Sequence, residues 1–216
     1  MREVFQQELH EVQNRLVEMA ESATSVIEDA TEAFISSDAS LADRAIAVAE
    51  SIGGKASALD ELVIRILARQ SPVARDLRVL VSALRISASL DRMGALAGHI
   101  AAIARYRFPG SAVPASLKET FQEMGQLDVE LSKKLSELLK NTSLDQARAI
   151  QAQDQRVDEL HRHVFDVVLS DDWKENAMYT VDVTLASRYH ERFADHVVEI
   201  SSKVSYLTTG EWNENE

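Results

Sequence analysis

The 216 residues, 45% of them apolar, suffice for one large domain or two small ones and exclude a disordered chain. Only 7 Gly and 3 Pro leave too few turn formers for an all-β sandwich or barrel, so long helices are expected. The 35 acids against 23 bases give a net charge of −12, which argues against a nucleic-acid partner, and the absence of Cys excludes disulfides, thiolate metal sites and Cys nucleophiles.

The chain reads as six helices in two sets of three. In the first segment, from about Phe5 to Ser36, Leu9, Val12, Leu16, Met19, Ala23, Val26, Ala30 and Ala33 recur three and four residues apart, the seam of a bundled helix. Ser36 to Ser40 supplies turn and cap residues. The second segment carries Leu41, Ala45, Val48, Ile52, Leu59, Leu62, Val63, Ile66 and Leu67. Gly53-Gly54 interrupts it at a cost of roughly 2 kcal/mol in helix propensity, so a kink or weak point is expected there. Ser71-Pro72 ends it, since proline restricts the residue before it and suits a first helical turn. The third segment runs from about Val73 to Tyr106, with Leu77, Leu80, Val81, Leu84, Met93, Ala97, Ile100 and Ile103 as its pattern.

Phe108 to Pro114 holds two of the three prolines and reads as the linker. The fourth segment shows Leu117, Phe121, Met124, Leu131, Leu135 and Leu138, and Asn141-Thr142-Ser143 makes a turn. The fifth follows Ile150, Val157, Val164 and Val168 to Asp171-Asp172, and the sixth runs from about Lys174 to Leu207. Thr208-Thr209-Gly210 stops it, leaving an acidic tail over 209–216. The expected architecture is therefore all-α, two tandem three-helix bundles over 1–108 and 116–208 joined by a linker at 109–115. A charged N-terminus and a longest uncharged run of only Met93 to Ala104 point to a cytoplasmic protein.

The halves resemble one another. Leu90-Asp91-Arg92-Met93-Gly94-Ala95 matches His190-Glu191-Arg192-Phe193-Ala194-Asp195 at an offset of 100 residues, and each copy is followed by Ile, at Ile100 and Ile200. An internal duplication accounts for both the match and the shared helix order.

Paired acids carry the candidate chemistry. Asp154 and Asp158 are four apart, as are Glu191 and Asp195, which places each pair on one helix face. Such pairs repel; the cations at hand are Arg156, Arg188 and Arg192, and a metal ion is the alternative. In the seam Ile150, Asp154, Val157, His161, Val164, Val168, an acid and a histidine occupy core-type positions, where an ionised acid is costly unless paired or metal-bound. Asp91 follows Leu77 and Leu84 at seven-residue steps. Carboxylates from facing helices suit Mg, Mn or Fe, and imidazole adds tolerance for Fe or Zn. His161 is a candidate fifth ligand, with a hydrogen-bonded core histidine as the other reading. No glycine-rich phosphate loop, zincin helix or nucleophile elbow is present, and a serine triad drawn from scattered Ser, His and Asp residues stays open without a local feature to support it. Asp158 and His161 have the spacing of a ferritin-like di-iron ligand pair, without a clear second copy.

Gln70-Ser71-Pro72-Val73-Ala74-Arg75-Asp76-Leu77-Arg78 resembles the QQPVAxDLR signature of the PhoU phosphate-regulation family. Asp91-Arg92-Met93-Gly94 and Glu191-Arg192-Phe193-Ala194-Asp195-His196 resemble its two ERIGDHA segments, and Tyr206-Leu207-Thr208-Thr209-Gly210-Glu211 resembles its closing YLVTGE. The resemblance implies carboxylate motifs that hold iron or zinc clusters. It also implies a regulatory adaptor that couples the phosphate-specific ABC transporter to a sensor histidine kinase and restrains phosphate uptake when phosphate is plentiful. Contact with the membrane would then run through protein partners, and a homodimer is expected. The first half departs from the family pattern. Its counterpart of Glu191 and Asp195 reads Asp91 and Ala95, and its counterpart of Asp154 and Asp158 retains only Glu50. The expected metal site is therefore Asp154, Asp158, Glu191 and Asp195, with Asp91 and Glu50 a degenerate copy. A di-iron carboxylate oxidoreductase and a metal-free helical interaction protein are the alternatives.

Overall fold

The structure is a computed structural model that describes residues 2–153 and 155–209. Its helices are α1 (Arg2–Ser36), α2 (Ala39–Gln70), α3 (Ala74–Arg107), a 3-10 turn (Ala115–Leu117), α4 (Lys118–Asn141), α5 (Leu144–Gln153), α6 (Gln155–Val168) and α7 (Ala177–Thr209). No strand occurs among the described residues. The α5 and α6 stretches flank residue 154 and together occupy the fifth segment.

Local chemistry sets the boundaries. An Asp38 carboxylate oxygen accepts from the backbone N–H groups of Ser40 at 2.8 Å and Leu41 at 3.1 Å, capping α2. At its other end Ser71 takes a left-handed φ of 44° and donates its N–H to the Leu67 carbonyl. The α2 helix runs unbroken through Gly53-Gly54, so the two glycines do not end it. Ile52 and Leu59, buried on either side, hold the segment to the core, and packing supplies the stability that propensity lacks. The sixth segment starts at Ala177, later than expected, because the Asn176 side chain accepts from the Tyr179 N–H at 3.1 Å and caps the helix there.

The α3 pattern also differs from the sequence reading. Its buried face runs through Leu80, Ala83, Ile86, Leu90, Met93, Ala97, Ile100 and Ala104, while Leu77 and Val81 are exposed and Leu84 and Asp91 half-buried. A straight helix drifts about 20° per seven-residue step, so the Leu77–Leu84–Asp91 row lies off the core.

The first bundle is α1, α2 and α3; the second is α4, α5/α6 and α7. They lie side by side, α1 against α4 and α3 against α7, and their buried side chains form one continuous core. The α3–α7 pair is antiparallel. The Arg78 guanidinium sits 5.9 Å from the Tyr206 ring centre, Ser89 Oγ donates to Glu199 at 3.2 Å, and Arg107 forks onto the buried Asp182 with one bond of 2.9 Å. No helix among the described residues is long and apolar enough to cross a membrane.

Where α1 meets α4, Gly125 packs directly on Thr31. A Cβ at Gly125 would lie 2.7 Å from Thr31 Oγ1 and 2.8 Å from Thr31 Cβ, so turning the threonine side chain cannot clear it. At Gly54 nothing lies within 4 Å of an added Cβ. Gly54→Ala is therefore expected to stabilise by up to about 1 kcal/mol through helix propensity. Gly125→Ala is expected to lose about 1–3 kcal/mol to overpacking despite the same propensity gain. Urea denaturation of the two variants tests this, and shifts of equal sign would refute the close helix approach.

Candidate metal centre

The α6 and α7 helices pack side by side and bring four predicted site residues into one electrostatic neighbourhood. His161, half-buried on α6, bonds through Nδ1 to Ser187 Oγ on α7 at 3.0 Å and packs edge-on against Phe165 at 5.1 Å. Its pKa is lowered, first by burial and then by Arg188, while Asp158 and Asp195 pull it back up. The ring is thus held toward the neutral form, with Nε2 left as the donor a metal would take.

Glu191 is the centre of the cluster, with its side chain only 13% exposed. One carboxylate oxygen accepts from Arg188, one turn earlier; the other, Oε2, is buried without a hydrogen-bond partner among the described residues. Burial raises the Glu191 pKa, Asp195 and then Asp158 raise it further, and Arg188 and Arg192 oppose them. Asp195 accepts from Arg192 at 3.2 Å. The Asp158 carboxylate has no ion pair or hydrogen bond among the described residues. Arg188 and Arg192 thus act as the expected compensating cations, whereas Arg156 turns away to Glu123 at 2.7 Å and Glu159 at 3.2 Å.

Asp154 lies outside the described residues. Among the described residues alone, no group of three or more His, Asp or Glu side chains is close enough to hold a metal ion. The donor set nevertheless fits a hard cation in kind: two α7 carboxylates, one on α6, a neutral imidazole, and a buried Glu191 oxygen whose lack of a partner is costly.

In the first bundle, Asp91 faces glycine. Its Oδ1 lies 3.4 Å from where a Gly53 Cβ would stand, so α2 offers no side-chain ligand at that point. Glu50 is exposed and makes no ion pair among the described residues. The structure does not bring Glu50 and Asp91 together with any third acid or histidine among the described residues.

A second polar pair escaped the sequence reading. His190 on α7 and Asp128 on α4 are both fully buried, with His190 Nδ1 and Asp128 Oδ2 at 2.7 Å. Asp128 Oδ1 and His190 Nε2 have no partner among the described residues. Burial pushes the Asp128 carboxyl up to about 6 even though His190 draws it down. The one available signal was in the repeat, which places apolar Leu90 where the second copy has His190.

Comparison with known proteins agrees with this architecture. The PhoU domain model matches residues 16–104 and 121–204. The phosphate-specific transport system accessory protein PhoU homolog 2 of Mycobacterium tuberculosis is 41% identical over 210 residues, 97% of this chain and 99% of that protein. PhoU homolog 1 of Mycobacterium leprae is 39% identical over 216 residues, 100% of this chain and 97% of that protein. The crystal structure of PhoU from Pseudomonas aeruginosa superposes with a TM-score of 0.87 at 25% identity, covering 96% of this chain and 100% of that one.

Proposed function

Because this chain belongs to the PhoU family, we propose that it is a cytoplasmic regulatory adaptor that restrains phosphate uptake by coupling the phosphate-specific ABC transporter to a sensor histidine kinase. The observation that carries the reading is the match, over 97% of the chain and through both repeats, to an accessory protein of the phosphate-specific transport system. An adaptor needs surface, and long helices in two side-by-side bundles provide extended faces on which two proteins can be held at once. The net charge of −12 repels free phosphate unless a metal ion or a helix N-terminus reverses the local field.

The α6–α7 carboxylates are the proposed metal site, holding iron or zinc, with Mg or Mn as other suitable ions. A bound cation would supply the positive charge that Asp158, Glu191 and Asp195 lack between them, and would tie α6 to α7.

Deleting the gene is expected to derepress phosphate-uptake genes in phosphate-rich medium, and transcript measurement reads the effect. Unchanged expression, in a strain without a second copy, would refute the adaptor role. Restoration by the plasmid-borne gene ties any effect to this chain.

A further inference from the structure

A cavity of about 380 Å³ opens at one end of the molecule, where the two bundles meet. Its walls are the first half of α1, the first half of α3, the end of α4 with the turn after it, and the last turns of α7. The deep part is aliphatic: Val12, Leu16, Ala83, Ile86, Leu139 and Val204 line it and are all buried. Each wall changes character along its length. On α3, Arg75, Val79, Ala83 and Ile86 step by four, four and three residues and pass from exposed, through half-buried, to buried. On α1 the lining passes from exposed Gln6 and His10 to buried Leu16, and on α7 from exposed Thr208 to buried Val204. The cavity is thus a funnel with a polar mouth and an aliphatic floor.

The polar groups divide into those already used and those left over. Gln13 Nε2 donates to the Leu139 carbonyl at 2.8 Å and to the Lys140 carbonyl at 3.1 Å, bracing α1 against the end of α4. Thr208 Oγ1 donates to the Val204 carbonyl at 3.2 Å. The side chains of Arg75, His10 and Gln6 make no hydrogen bond or ion pair among the described residues. No acid among the described residues lines the cavity, in a chain that carries 35 of them. The Arg75 guanidinium therefore faces the mouth without a counter-charge.

We propose that this cavity binds a medium-chain fatty carboxylate, with the alkyl chain along the aliphatic floor and the head group on Arg75 at the mouth. The volume stands near the low end of the range for small-molecule sites, about 300–1,000 Å³, which limits the length of the chain. No aromatic side chain among the described residues lines the cavity, so a flat ring finds nothing to stack on, whereas an alkyl chain needs only apolar contact. A guanidinium matches a carboxylate in a planar fork, and with no acid beside it nothing repels the head group. Both repeats supply walls, so an occupant would tie α1 and α3 of the first bundle to α7 of the second. The site is independent of the adaptor reading and of the metal centre, and stands or falls separately from both.

Titration calorimetry of the full chain with decanoate, below its micellar concentration, tests the proposal. Saturable one-to-one binding and a rise in Tm are expected. Decanol keeps the chain and lacks the charge, and is expected to bind roughly fivefold more weakly; acetate keeps the head group and lacks the chain, and is expected to bind more than 100-fold more weakly. Arg75→Gln, at an exposed position, is expected to weaken decanoate roughly fivefold and leave decanol unchanged. Val79→Trp is expected to fill the cavity and abolish binding of both, with far-UV circular dichroism of the ligand-free variant checking that it folds. A decanoate carrying a diazirine at the end of its chain is expected to label residues 9–16 and 79–86. No saturable binding of decanoate, equal affinity for decanol, or an affinity unchanged by Arg75→Gln would overturn the proposal. So would labelling that falls instead on the exposed Phe165, Leu169 or Leu185.

Discussion

His190→Leu alone is expected to lower stability at pH 7 by roughly 3–4 kcal/mol, whereas Asp128→Leu/His190→Leu is expected to be at least as stable as the native chain. The single substitution removes the only partner that the fully buried Asp128 has among the described residues. The carboxyl is then left buried without its partner, and removing one member of a buried pair typically costs about 3–5 kcal/mol. The double substitution leaves no polar atom behind and removes two that are already unsatisfied, Asp128 Oδ1 and His190 Nε2. Replacing a buried charged pair by apolar side chains of similar volume is often neutral or stabilising, by up to about 4 kcal/mol. The repeat itself supports the exchange, because Leu90 fills the position equivalent to His190 and is fully buried. Equal losses from the single and the double variant, in urea denaturation, would show that the pair is a net source of stability.

The same pair shapes the pH dependence. Burial pushes the folded Asp128 carboxyl up to about 6, above the ordinary aspartate value near 3.9. The folded state therefore holds the proton longer than the unfolded state does. The advantage of the neutral carboxyl is fully present below about pH 4 and is lost as pH rises to 6, a change of at most about 3 kcal/mol. Asp128→Asn cannot ionise, so its stability relative to the native chain is expected to rise across that window. A difference between the two that stays flat from pH 4 to about 7 would contradict the raised pKa.

The helices were legible because three-four periodicity and Pro or Asx punctuation act locally, as at Asp38, Ser71-Pro72 and the Val12-to-Ala33 seam. Leu77 reads as core because its seven-residue row looks continuous in sequence but rotates off the buried face, and Val81, one turn further along, is exposed beside it. Glu191 and Asp195 were legible as a pair from their spacing, and so were the arginines one turn before each. The Asp128–His190 pair was not, since its members lie 62 residues apart on different helices and no local pattern joins them. Arg107 and Asp182, 75 residues apart, were hidden for the same reason. Tertiary packing decides which distant polar groups meet, and a single chain of residue types does not encode that pairing locally.

Metal binding is expected to be confined to the second half of the chain. There, among the described residues, Glu191 presents a buried unpartnered oxygen, Asp158 an unpaired carboxylate, and His161 a ring turned toward its neutral form, with Asp154 expected to complete the set. Arg188 and Arg192 only partly offset the repulsion that raises Glu191, so a cation would relieve what remains. Binding and stability are then linked, and free metal 100-fold above its dissociation constant would add about 2.7 kcal/mol to folding. In the first half, Asp91 stands opposite Gly53, and neither Gly54 nor Ala95 has a ligating side chain. Glu191→Ala and Asp154→Ala are accordingly expected to abolish most bound metal and the metal-dependent rise in Tm. Asp91→Ala and Glu50→Ala are expected to change both little. Elemental analysis of protein purified without chelator, together with thermal melts with and without added metal, reads the two sets. Equal metal loss from both sets, or a melt that responds to metal as strongly after Glu191→Ala as before, would sink the asymmetry.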